Sequence, residues 1–147
     1  MTATPPRKLF VNIAVADLDR ATAFFGELGF TFDPRMTDET ATCMLVGEDA
    51  YVMLLLADRF RGFATKELSD PAARTEAILA FSAGSREEVD ELAERALAAG
   101  GTPAAEPQDH GFMYGRSFDD PDGHHWEVFW MDPAALEAAP SEAAAAR

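Results

Sequence analysis

The chain has 147 residues, 48% apolar and 10% aromatic, with 12 basic against 26 acidic side chains and a formal charge of −14. That length carries one well-buried domain or two small modules sharing a core. The acidic balance argues against nucleic acid, whose binding rests on neutralising phosphates, and against anionic membrane surfaces.

No apolar stretch approaches the roughly 20 residues of a spanning helix. Residues 1–8 hold no signal-peptide core, and one cysteine excludes an internal disulfide. The expectation is a soluble, cytoplasmic protein. Cys43 lies in an apolar run, where a small buried hydrophobe is the plainer reading and a nucleophile the alternative.

Residues 1–7 read as a loose leader. Over 9–15, Val11, Ile13 and Val15 alternate against Phe10, Asn12 and Ala14, the period of a strand with one core face. Asp17 then suits an N-cap. Leu18, Ala21, Phe24, Phe25 and Leu28 follow at helical spacing, with Gly29 at the C′ position. Short strands are predicted at 30–33, 42–46 and 51–56, then a linker over 57–75 with a short helical piece at 58–63. Residues 78–83 are again strand-like.

Ser85 caps a second helix, and Glu88 three residues on completes a capping box. Val89, Leu92, Ala93, Ala96 and Leu97 form its apolar stripe, and Gly100-Gly101 ends it. Strands follow at 102–106, 112–118 and 125–131. The tail after Asp132 is rich in Ala and Glu and reads as a frayed helix. Both halves therefore run strand, helix, three strands. Sliding the chain by 68 residues lays Phe10 on Ile78, Ile13 on Phe81 and Asp17 on Ser85, a repeat of pattern rather than identity.

Val11-Asn12-Ile13-Ala14-Val15-Ala16-Asp17-Leu18-Asp19-Arg20, with Phe24-Phe25 and Leu28-Gly29-Phe30, is one informative run. Asp120-Pro121-Asp122-Gly123 followed by a strand carrying Glu127 is the other. In these residues the chain resembles the vicinal oxygen chelate superfamily, which includes glyoxalase I, extradiol dioxygenases and the bleomycin and fosfomycin resistance proteins. The resemblance covers residues 9–131. It implies an α+β fold of two βαβββ modules whose mixed sheets curl around a cavity, within a homodimer. On that reading 8–57 is the first module, 58–75 a linker, 76–132 the second module and 133–147 a C-terminal tail. Together they make one domain.

Metal enzymes of this family hold a divalent ion with His, Gln or Glu from cavity-facing strands, and the ion acts as a Lewis acid. The resemblance carries the four ligand slots onto Phe10, Met53, Ile78 and Glu127. Only Glu127 is a ligand to a hard cation, so no metal or other cofactor is expected. His125, two residues before Glu127 and about 7 Å from it along a strand, is the alternative. With Glu127, Asn12 and water it would recruit a divalent metal for lyase, isomerase or dioxygenase chemistry.

Glu127 without a metal has two readings. It bonds Asn12 or Arg116 as a structural residue, or it accepts a proton, its pKa raised by desolvation among Phe10, Met53 and Phe129. Over 112–118, alternation sets Phe112, Tyr114, Arg116 and Phe118 on one face, and Gly115 suggests a bulge or a close backbone approach. Tyr114 and Arg116 either reach into the cavity, Arg gripping an anionic group, or Arg116 pairs with Asp119 or Glu127. His124 is a turn residue expected in solvent, and nothing sets His110 apart.

The expected ligand is a small, partly apolar and anionic organic molecule, held by Phe10, Asn12, Met53, Tyr114, Arg116, His125 and Phe129. Residues 59–63 form a lid or a dimer contact. A non-catalytic structural or interaction protein, its cavity filled by its own side chains, is the remaining alternative.

Overall fold

The structure, a computed structural model, describes residues 4–138. The start of the expected leader and the tail beyond Ala138 lie outside the described residues. The chain divides into two compact units, Met1–Asp70 and Pro71–Arg147.

In the first unit, strand β1 (Leu9–Val15) leads into helix α1 (Leu18–Glu27), then β2 (Thr31–Asp38), β3 (Ala41–Leu45), β4 (Ala50–Leu56) and a short α2 (Ala57–Arg61). The sheet order is β1-β4-β3-β2, with β1 parallel to β4 and the other pairs antiparallel. Helix α1 starts where Asp17 accepts the Arg20 amide at 3.0 Å, satisfying a donor with no partner inside the helix. It stops at Gly29, whose φ of 100° only glycine adopts without strain. Its buried face (Ala21, Phe24, Phe25) packs on β3 and β4, over Met44, Val52 and Leu54.

β2 runs five residues beyond its expected end. Its pairing with β3 is irregular between Asp33 and Asp38, where Arg35 folds back on Asp33 through its amide (2.9 Å) and guanidinium (2.8 Å). Cys43 is fully buried, and burial pushes its thiol up, which favours the reading as a packed hydrophobe.

The second unit repeats the order: β5 (Ile78–Ser82), α3 (Arg86–Ala98), β6 (Thr102–Pro103), β7 (Gln108–Asp109), β8 (Met113–Asp119), β9 (His125–Met131) and α4 (Pro133–Ala138). Its sheet runs β5-β9-β8-β6, with β7 also on β8 and β5 parallel to β9. Of the strand expected at 102–106 only Thr102–Pro103 forms, and a second short fragment, Gln108–Asp109, follows outside that range. Pro103 and Pro107 lack the amide that a ladder needs.

The capping box forms with a shift of one residue. Ser85 Oγ accepts the Glu88 amide at 3.1 Å, and the Glu88 carboxylate accepts the Gly84 amide at 2.8 Å. Val89, Ala93 and Ala96 of α3 are buried against β8 and β9, whose Phe118, Trp126 and Val128 form the opposite wall of this core.

Each unit is thus a mixed sheet carrying one long helix on one face. The α+β class is as expected, and the first unit runs strand, helix, three strands; the second unit follows the same order with two short fragments, β6 and β7, ahead of β8 and β9.

Candidate functional site

The Asp120-Pro121-Asp122-Gly123 turn is built on its first residue. Asp120 is 4% exposed. Its Oδ1 accepts the amides of Asp122 (2.9 Å), Gly123 (3.0 Å) and His124 (3.0 Å), and its Oδ2 accepts the Trp126 indole N–H (3.0 Å). Burial raises its pKa, and the bonds from Trp126 and His124 oppose that. Gly123, at φ 104°, lies so close to Pro71 that a Cβ there would sit 2.6 Å from the Pro71 carbonyl oxygen.

His124 is not in solvent, as a turn position suggested. It is 4% exposed, and its Nδ1 lies 2.7 Å from Glu76 Oε1. The carboxylate anchor draws the whole turn inward and carries the imidazole with it.

From this turn β9 departs with its faces fixed. Trp126 and Val128 go into the core beneath α3, so His125, Glu127 and Phe129 point to the other side of the sheet. On β8 the residues opposite them are Asp119, Ser117 and Gly115. The register is unbroken, so Gly115 marks no bulge. A Cβ there would meet Phe129 Cβ at 3.5 Å. His125 Nδ1 is 3.5 Å from Asp119 Oδ1, and its Nε2 is 3.5 Å from Glu127 Oε2. This face forms the floor of a concavity of about 430 Å³, lined by Ile78, Glu106, Gln108, Met113, Ser117, Glu127 and Phe129 among others.

Tyr114 stands on the opposite face, which corrects the reading that sent it into the cavity, while Arg116 lines the concavity but turns its guanidinium to that opposite face. Register puts Arg116 beside Val128 and Phe118 beside Trp126, on the side of α3. There Arg116 donates to Asp90 at 3.2 Å and to Glu94 at 2.6 Å, and Tyr114 Oη donates to Asp90 at 2.6 Å. The bond to Asp90, with burial second, raises the Tyr114 pKa. Arg116 therefore bridges to α3 rather than to Asp119 or Glu127. Asp90 and Glu94, one helical turn apart, were the sequence signal for this pairing.

Beside them Arg86 donates to both oxygens of Asp109 (2.8 and 3.0 Å) and to the Gly111 carbonyl. Its guanidinium lies 5.2 Å from the Tyr114 ring centroid and 5.3 Å from that of Trp130. This pairing holds the Asp109 pKa at about 2.

In the first unit, Phe10 is 39% exposed and stacks on Tyr51 at 4.6 Å, while Asn12 pairs in register with Met53. Asn12 Nδ2 donates to the Phe10 carbonyl at 3.4 Å. Asn12 also lines a second concavity of about 400 Å³ with Leu55, Phe60, Phe63 and Ala64. The register ties the two units together topologically. Phe10 faces Tyr51 and Asn12 faces Met53 as Ile78 faces His125 and Ala80 faces Glu127, so Met53 and Glu127 are equivalent positions. His110 is exposed and stacks on Phe112 at 6.3 Å.

Against a divalent metal, these donors are the wrong chemistry. An exposed Phe10, an exposed Ile78 and a thioether stand at three of the four slots. Among the described residues no three His, Cys, Asp or Glu side chains gather to hold an ion. The His125–Glu127 pair offers two donors where such sites use three or more. The residues present do not fit the family's metal.

Two βαβββ units, each with a parallel outer strand, a helix on one sheet face and a recess on the other, define a class of small-molecule-handling domains. The chain belongs to the Glyoxalase/Bleomycin resistance protein/Dioxygenase superfamily, whose family model matches residues 9–128.

Among solved structures it is similar to a hypothetical protein from S. aureus, at 26% identity and a TM-score of 0.72, over 84% of this chain and 92% of that one. A glyoxalase-related enzyme from Fulvimarina pelagi is 22% identical, with a TM-score of 0.70, over 82% and 85% of the two chains. A lactoylglutathione lyase from Agrobacterium tumefaciens is 20% identical, with a TM-score of 0.63, over 87% and 96%. No curated protein matches the chain. Among the described residues no helix is long and apolar enough to cross a membrane.

Proposed function

We propose that this chain binds a small, partly apolar organic molecule in the recess of its second unit, without a tightly held metal, as a cytoplasmic homodimer. One observation carries the reading. The β8–β9 face opposite α3 is left open as a concavity of about 430 Å³, with Met113, Phe129 and Ile78 as apolar wall and Ser117, Gln108 and Glu127 as polar points. That volume and mixture suit one small ligand, oriented by a few hydrogen bonds. Glu127 is the group placed to accept a hydrogen bond or a proton from it.

A second reading has the 3.5 Å approach of His125 to Glu127 in its favour: metal-assisted lyase, isomerase or dioxygenase chemistry. It lacks the remaining donors. Thermal-shift screening of purified protein against a metabolite and antibiotic panel tests the first reading, which expects stabilisation by at least one compound, lost on filling the recess with Ser117→Trp. No shift across the panel overturns it. Metal analysis before and after EDTA tests the second. One tightly bound divalent ion per chain, lost in Glu127→Gln, would replace the first reading with it.

A further inference from the structure

Resting on the binding reading above, we infer that the molecule taken by the second unit's recess is an organic cation: an ammonium group on an apolar, preferably aromatic, body. The sequence offered Arg116 as a candidate grip for an anion. Its guanidinium bonds to Asp90 and Glu94 on the far side of the sheet. Arg86 is paired with Asp109 and Arg95 with Glu91.

What the recess presents is the reverse sign. Glu106 and Glu127 line it together with Arg116, whose guanidinium is paired with Asp90 and Glu94, and Asp119 stands on the same sheet face beside His125. Three carboxylates against one imidazole leave this face negative by two charges even when His125 carries a proton. The conclusion does not hang on the state of that histidine. With the Arg116 guanidinium taken up by Asp90 and Glu94, a carboxylate ligand would meet like charge from Glu106 and Glu127, whereas an ammonium would meet those two carboxylates favourably. Phe129 adds an aromatic ring, and Ile78 and Met113 an apolar wall for the body of the molecule. The chain's formal charge of −14 acts in the same direction at longer range.

The test is a matched series in which only the end group changes: 2-phenylethylammonium, 2-phenylethanol and 3-phenylpropanoate, and tryptamine, tryptophol and indole-3-propanoate. Affinities are read by ligand-observed NMR titration and calorimetry at low ionic strength on the full chain. The expected result is that each ammonium binds about tenfold or more tighter than its carboxylate counterpart, with the alcohol between. Added salt should shrink the gap. Glu127→Gln and Glu106→Gln, each verified as folded by circular dichroism, should narrow it singly and most of all together.

Equal or reversed affinities overturn the charge inference and leave the binding reading standing. So does a preference that is undiminished in the double variant. Absence of binding by every member removes the binding reading itself and this inference with it.

Discussion

Replacing Asp120 tests whether the turn is held by its carboxylate. Asp120→Ala deletes four acceptor contacts, three from backbone amides and one from the Trp126 indole. The amides of Asp122 and Gly123 are half-exposed and regain water, so each loses about 0.5–1 kcal/mol. The His124 amide and the indole belong to residues 4% and 2% exposed. Each is left as a buried donor without an acceptor, at about 1–3 kcal/mol. The sum is about 5 kcal/mol, comparable with the whole stability of many domains.

Asp120→Asn separates the two oxygens. An amide oxygen can keep the three backbone bonds, but its NH₂ then faces the indole N–H, donor against donor, for about 2 kcal/mol. Trp126→Phe in that background removes the conflict, so a double-mutant cycle should show coupling of about 1 kcal/mol or more. Urea unfolding followed by circular dichroism and tryptophan fluorescence measures all four proteins. An Ala variant within about 1 kcal/mol of the parent, or Asn and Ala variants that cost the same, would refute the argument.

The remaining predictions concern the same unit. Gly123→Ala forces a positive φ on alanine and drives its Cβ against the Pro71 backbone at 2.6 Å. A loss of about 3 kcal/mol in chemical denaturation is expected. Asp109, held at about 2 by Arg86, contributes stability that is present above its ordinary value of 3.8 and lost as pH falls through about 2. Arg86→Met should return the Asp109 pKa toward 3.8 by NMR titration and so remove most of that contribution, flattening the fall in stability between pH 3.8 and about 2. Arg116→Met leaves Asp90 and Glu94 without their cation beside Tyr114. With both carboxylates more than half exposed, denaturant midpoints should report about 1 kcal/mol or less.

The sequence alone determined what depends on neighbours along the chain. Asp17 and Ser85 announced their helix starts because a cap is a contact across three residues, and α1 and α3 begin where they say. The strand expected at 125–131 formed with Trp126 and Val128 on one face and Glu127 on the other, because a strand's period is a property of the backbone itself.

Tertiary structure decided which partner each face meets. The grouping of Tyr114 with Arg116 was legible, but only the pairing of Phe118 with Trp126 turned that group toward α3. His124 looked like a solvent residue because its burial depends on Glu76, 48 positions away, and on an aspartate that gathers its own turn. Asp120 itself read as part of a turn motif, and its bond to a tryptophan six residues on exists only once β9 lies beneath α3. Local rules fix where a side chain emerges from the backbone. The charge and burial it then meets come from segments distant in the chain, so the sign of the recess could not be read from the order of its residues.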